Sequence, residues 1–156
     1  MVLACGTSLI HWDLARGEPT RSVTLPDLPE HVMVDEAGRA VVVGSEWIVH
    51  ADFAGGTAMQ WYHAGSHSRA ALSRRGNLLA VADRAALELW DVGLRVRTAR
   101  IPLPAPALAV AVDDAEARIA VAGQGWHRVY DRGGALLRHQ GTAVRAVVEW
   151  TKGPAA

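Results

Sequence analysis

The chain has 156 residues, half of them hydrophobic and about a fifth charged, with basic and acidic side chains balanced at 16 each. This predicts a soluble globular protein with enough chain to bury one core. Zero net charge leaves no electrostatic case for nucleic acid or an anionic membrane surface, and a single cysteine, Cys5, excludes an internal disulfide.

The lone cysteine makes a reducing, cytoplasmic setting the default expectation. No apolar run reaches the 18 residues or so that a spanning helix needs. Val2-Leu3-Ala4-Cys5 has the outline of a lipoprotein cleavage box but no charged start or long apolar stretch before it, so Cys5 reads as a strand residue. All basic residues except Lys152 are arginine and alanine is abundant, a coding bias that points to a bacterial source.

In chain order, an apolar run over Val2 to Cys5 ends on Gly6 and leads to Leu9-Ile10-His11-Trp12-Asp13. Leu14-Ala15-Arg16-Gly17 turns the chain into a strand over roughly Thr20 to Leu25, and Pro26 to Pro29 breaks the extended run. His31 to Val34, the polar turn Asp35-Glu36-Ala37-Gly38, Val41 to Val43 ending on Gly44, and Ile48-Val49-His50-Ala51-Asp52 follow. Phe53-Ala54-Gly55-Gly56 turns into Thr57 to Tyr62, and Ala64 to Ser66 links this to Arg69 to Ser73. Arg74-Arg75-Gly76-Asn77 returns the chain to Leu78 to Ala82, ending on Asp83, then Leu87-Glu88-Leu89-Trp90-Asp91. After Val92-Gly93 come Val96 to Ile101 and the link Pro102 to Pro106. The last full cycle is Ala107 to Val112, the turn Asp113-Asp114-Ala115-Glu116, Ile119 to Ala122 ending on Gly123, and His127-Arg128-Val129-Tyr130-Asp131. Arg132-Gly133-Gly134, Ala135 to His139, Gln140-Gly141 and Ala143 to Glu149 complete the chain.

Short valine-rich runs bounded by turn residues are the pattern of strands buried on both faces. Ala105 to Ala122, read alone, has the composition of a helix. Asp113-Asp114 stands where the sister units have polar turns, so the repeat predicts two strands there instead. The four aspartates Asp13, Asp52, Asp91 and Asp131 recur at 39, 39 and 40 residues, and self-similarity at that period marks a repeat protein. Each Asp can accept a backbone hydrogen bond from the turn that follows it, which explains the position without any catalytic role.

Four antiparallel strands per unit, the third ending in Trp-Asp, resemble the WD-repeat β-propeller family. Asn77-Leu78-Leu79-Ala80-Val81-Ala82 with Leu87-Glu88-Leu89-Trp90-Asp91 carries the resemblance, and Val144-Arg145-Ala146-Val147-Val148-Glu149-Trp150 is similar to the family's first strand. Trp-Asp is intact twice, replaced once by Tyr-Asp and once by Ala-Asp. Gly65-Ser66-His67 is the nearest remnant of the family's Gly-His pair. Of its buried Asp-His-Ser-Trp network, the matching residues are Asp83, His67 and Trp90 in one unit.

The resemblance implies an all-β propeller of four-stranded antiparallel blades, approximately 1–25 with 143–150, 30–62, 68–101 and 106–139. The C-terminal strand would complete the first blade. Sixteen strands make four blades, where WD-type rings are usually larger. Three assemblies fit: a four-bladed ring, a homodimer closing an eight-bladed ring, and part of a longer propeller.

Histidines give no metal expectation. His63 and His67 have i, i+4 spacing but no third ligand beside them. Ser66-His67-Ser68 lacks an orienting carboxylate, and Gly123-Gln124-Gly125 precedes a strand, not the helix that a phosphate loop needs. The aspartates fall one per blade and cannot converge on a substrate. No cofactor and no catalytic residue is therefore expected.

Trp47 and Trp126, each three residues after a glycine, admit two readings: packing between blades, or a place on the rim that the family uses for partners. Glu46, Arg69, Arg84, Gln124 and Glu30 belong to the same implied rim. The resemblance thus implies a non-catalytic scaffold binding a protein partner through its loops. A ligand-binding or enzymatic propeller would place its site at the central channel, with Arg69, Arg145 and Glu149 as its polar groups.

Overall fold

The computed structural model describes residues 1–62 and 69–141. Fifteen strands account for the regular structure of these residues, and no helix occurs among them. They are β1 (Val2–Cys5), β2 (Ser8–Asp13), β3 (Glu18–Thr24), β4 (His31–Val34), β5 (Ala40–Val43), β6 (Trp47–Asp52), β7 (Thr57–Tyr62) and β8 (Arg69–Leu72). The remainder are β9 (Leu78–Ala82), β10 (Ala86–Asp91), β11 (Val96–Pro102), β12 (Ala107–Val112), β13 (Arg118–Gly123), β14 (Trp126–Asp131) and β15 (Leu136–Gly141).

The strands form four antiparallel meanders in sequence order. The first sheet has three strands, β1-β2-β3, which correspond to the second, third and fourth strands of the other sheets, β4 to β7, β8 to β11 and β12 to β15. The alanine-rich stretch resolves into β12 and β13 around a turn, as the repeat register predicts. The expected C-terminal strand over Ala143 to Glu149 lies outside the described residues.

Alternation along each strand sends residues to opposite faces, and each sheet uses both. Leu9, Val2, Val23 and Leu25 of the first sheet meet Ala40, Val42, Trp47, Val49 and Ala51 of the second. Val41, Val43 and Ile48 on the second sheet's other face meet Leu79, Val81 and Trp90 of the third. Leu78, Ala80, Leu87 and Leu89 of the third meet Ile119, Val121 and Tyr130 of the fourth. Among the described residues no buried cluster joins the fourth sheet to the first.

This double burial is why the second strands read as unbroken apolar runs. β5 and β9 are buried along their whole length. Each fully buried valine or leucine contributes about 1.5–3 kcal/mol relative to exposure. Pro19 and Pro102, which cannot donate to a ladder, fall on β3 and β11, the outermost strands of their sheets.

All four repeat aspartates close the turn after the third strand. Asp13 Oδ1 accepts from the Ala15 and Arg16 N–H groups at 2.9 and 3.2 Å. Asp52, Asp91 and Asp131 accept from Gly55, Leu94 and Ala135 at 3.0, 2.9 and 2.8 Å. The bond spans two to four residues, as expected of an Asp that closes the turn following it.

The ladder between third and fourth strands shifts register immediately before Trp12, Trp90 and Tyr130. The second sheet, where Ala51 stands at that place, has no shift. A bulge re-aims the side chain that follows it. Here it accompanies an aromatic, which in the case of Trp90 and Tyr130 fills space in the cluster shared with the preceding sheet. Where Ala51 leaves that space, Phe53 from the next turn joins the same cluster.

Candidate partner-binding rim

The turns between second and third strands are two-residue hairpins at one end of the stack: Gly6-Thr7, Ser45-Glu46, Arg84-Ala85 and Gln124-Gly125. Register pairs Cys5 with Ser8, Gly44 with Trp47, Asp83 with Ala86 and Gly123 with Trp126 across these turns. The structural equivalent of Gly44 is therefore Cys5, one residue before the Gly6 that the sequence pattern aligns with it. Gly6 itself sits in the turn, with φ +57°.

The expected rim residues divide into two groups. Glu46, Arg84, Gln124 and Arg69 are exposed, as is Glu30. The Arg69 guanidinium also donates to the Leu108 carbonyl at 3.3 Å, joining the third sheet to the fourth. Trp47 is only 4% exposed and belongs to the core between the first two sheets. Trp126 is half-buried against the core between the third and fourth. Of the two readings open in the sequence, the structure places both tryptophans in packing between sheets.

The glycine before each tryptophan supplies the reason. A Cβ on Gly44 would lie 2.1 Å from the Trp47 ring, and one on Gly123 would lie 2.3 Å from the Trp126 ring. Each indole thus lies flat on the backbone of its cross-strand partner, a position only glycine leaves open. The Gly-x-x-Trp spacing is a packing signal. The indole N–H groups of both tryptophans are buried without a hydrogen-bond partner, a cost of about 1–3 kcal/mol each that the apolar contact must offset.

The opposite end of the stack is tied to itself. Asp35 Oδ1 accepts from the Ala37 and Arg39 N–H groups at 2.9 Å each, while Oδ2 receives Arg39 Nε at 2.6 Å. Arg39 Nη2 then donates to the Arg75 carbonyl of the next sheet at 2.9 Å. The carboxyl of Asp35 lies so close to Gly76 (φ +76°) that a Cβ there would stand 2.3 Å from Oδ2. The buried Ser73 hydroxyl donates to Glu116 Oε1 at 2.7 Å, linking the third sheet to the fourth. Arg74 bridges Glu36 at 3.0 Å and Asp114 at 4.0 Å. These contacts hold neighbouring sheets together, while Arg16 and Asp114 at the same end stay largely exposed.

One polar network was not anticipated from the sequence. Glu88, 2% exposed, accepts from Trp90 Nε1 at 3.2 Å and from Arg97 Nη1 at 2.7 Å. Its place is taken by Ile10, Val49 and Arg128 in the other sheets, so a carboxylate where two of the three sister units are apolar was the available signal. Trp90 therefore bonds Glu88, while Asp83 caps its own hairpin by accepting from Ala85 and Ala86 at 2.6 Å each. This differs from the Asp-His-Ser-Trp network implied by the family resemblance. His67, with the rest of 63–68, and Arg145 and Glu149 lie outside the described residues.

Between the first and second sheets an open cleft of about 310 Å³ is lined by His11, Thr20, Arg21 and Phe53. Its polar groups bond each other: His11 Nδ1 meets Thr20 Oγ1 at 2.7 Å, and Arg21 donates to the Phe53 carbonyl at 2.6 Å. Among the described residues no three His, Cys, Asp or Glu side chains cluster as a metal site, and no helix is long and apolar enough to cross a membrane. No protein-family model matches the chain, and no curated protein matches it.

Proposed function

We propose that the four sheets are blades of a WD-repeat-like propeller, or of half of one, acting in the cytoplasm as a non-catalytic scaffold. The rim made by the two-residue hairpins, carrying Glu46, Arg84 and Gln124 with Arg69 beside them, binds a protein partner. One observation carries this reading. The two ends of the stack differ: several polar side chains at one end bond between neighbouring sheets, while Glu46, Arg84 and Gln124 on the hairpin turns are exposed to solvent. Recognition then rests on turns that can vary without disturbing the apolar strand faces that hold the fold.

Affinity capture with the intact chain, with a rim variant carrying Glu46→Arg, Arg84→Glu and Gln124→Arg, and with an opposite-end variant Arg16→Glu tests it. Surface changes of this kind alter stability by no more than about 0.5 kcal/mol. A protein retained by the Arg16 variant and lost by the rim variant supports the assignment. Equal capture by all three chains overturns it.

A further inference from the structure

In the second, third and fourth sheets, the turn after the repeat aspartate reaches back to the outermost strand of the preceding sheet. It meets the same register position each time. That position is Arg21, opposite His11, in the first sheet, Met59, opposite His50, in the second, and Ala99, opposite Leu89, in the third. The turn residue that meets it has positive φ: Gly56 at +67°, Arg95 at +59° and Gly134 at +89°. A Cβ on Gly56 would lie 2.8 Å from Arg21 Nη1, and one on Gly134 would lie 3.2 Å from the Ala99 Cβ. At the middle junction the turn residue does carry a side chain, and Arg95 Nη1 donates to Met59 Sδ at 2.7 Å.

This middle pair is ill-matched as it stands. A thioether is a weak acceptor, and a left-handed backbone favours the glycine that both sister junctions have. A sulfoxide in place of the thioether would set an oxygen acceptor before the guanidinium, and a hydrogen bond from a charged donor is about twice as strong as a neutral one.

We propose that Met59 is an oxidation site whose sulfoxide is held by Arg95, so that a peroxide tightens the junction between the second and third sheets. A sulfur lone pair attacks one peroxide oxygen and the O–O bond breaks as the S–O bond forms. The proton on the transferred oxygen passes to the departing hydroxide, which leaves as water. Sulfur is oxidised and the peroxide reduced. Susceptibility follows exposure, and Met59 is 45% exposed on the outermost strand β7. Met33, by contrast, packs against the core shared by the second and third sheets, where an added oxygen would disrupt apolar contacts. Met1 is as open as Met59, at 51%, and its oxidation is common to every chain compared below.

Met33→Leu, a volume-conserving change, removes the core thioether and serves as the starting chain. Hydrogen peroxide is expected to add one oxygen at residue 59 of that chain, read by peptide mass spectrometry. Denaturant titration should then show the folded-to-unfolded ratio raised by about two- to fivefold, as suits one charge-assisted bond at an exposed site. Arg95→Gly should abolish that rise. Met59→Gln, which supplies an acceptor oxygen without any oxidant, is expected to give a similar rise that again needs Arg95. A residue 59 left unmodified while Met1 is oxidised overturns the proposal. So does a treated chain that loses stability, or one that gains equally with and without Arg95→Gly.

Discussion

Single residues carry the conformations that the turns demand. The four turns after the repeat aspartates place a residue at positive φ: Gly17 at +70°, Gly56 at +67°, Gly134 at +89° and, alone among side-chain-bearing residues there, Arg95 at +59°. A left-handed backbone costs an arginine about 1 kcal/mol that glycine does not incur. Arg95 also donates to the Met59 sulfur at 2.7 Å, an exposed contact that returns little of that cost. Arg95→Gly is accordingly expected to raise the unfolding free energy by about 0.5–1 kcal/mol in denaturant titration. A loss of that size would show that the Met59 contact dominates. The glycines were visible in the sequence as turn residues. Arg95 was not, because only the backbone reveals which turn position must be left-handed.

At the scale of one strand pair, Gly44 and Trp47 act as a unit across a hairpin. Trp47→Ala empties a site that is 4% exposed and is expected to cost about 3–5 kcal/mol. Gly44→Ala, a change of one methyl, drives a Cβ into the indole and is expected to cost about 1–3 kcal/mol. The double variant should lose less than the sum of the two, since the added methyl no longer meets a ring. Strict additivity in a double-mutant cycle would refute the contact. The pairing of glycine with tryptophan was on view in the sequence at both Gly44–Trp47 and Gly123–Trp126. What could not be read was whether the rings lie on the rim or between sheets, because spacing gives proximity along the chain and no direction.

Across the whole stack, the interface between second and third sheets contains a titrating group. The His50 pKa is lowered from its ordinary value of about 6.5, first by burial and then by the Arg39 charge. Asp35 and Asp52 oppose this, and Arg95 adds to it. A histidine depressed in the folded state binds its proton more readily when unfolded. Its contribution is therefore neutral above about pH 6.5, and stability falls as pH drops through the window below it. His50→Gln should flatten that part of the pH profile of unfolding free energy between about pH 7 and 5.5. An unchanged slope would show that His50 takes no part.

The repeat, the strand order and the turn-closing role of the aspartates were all present in the chain as written, because a 39-residue period and alternating burial are properties of local sequence. The strands read from it match β1, β4, β7, β9 and β12 residue for residue. Other features required the folded chain. The burial of Trp47, the Glu88–Trp90–Arg97 network and the contrast between a bonded end and an open rim depend on which faces of separate sheets meet. That meeting is set by side chains about forty residues apart, such as Ser73 and Glu116, whose proximity no local pattern encodes.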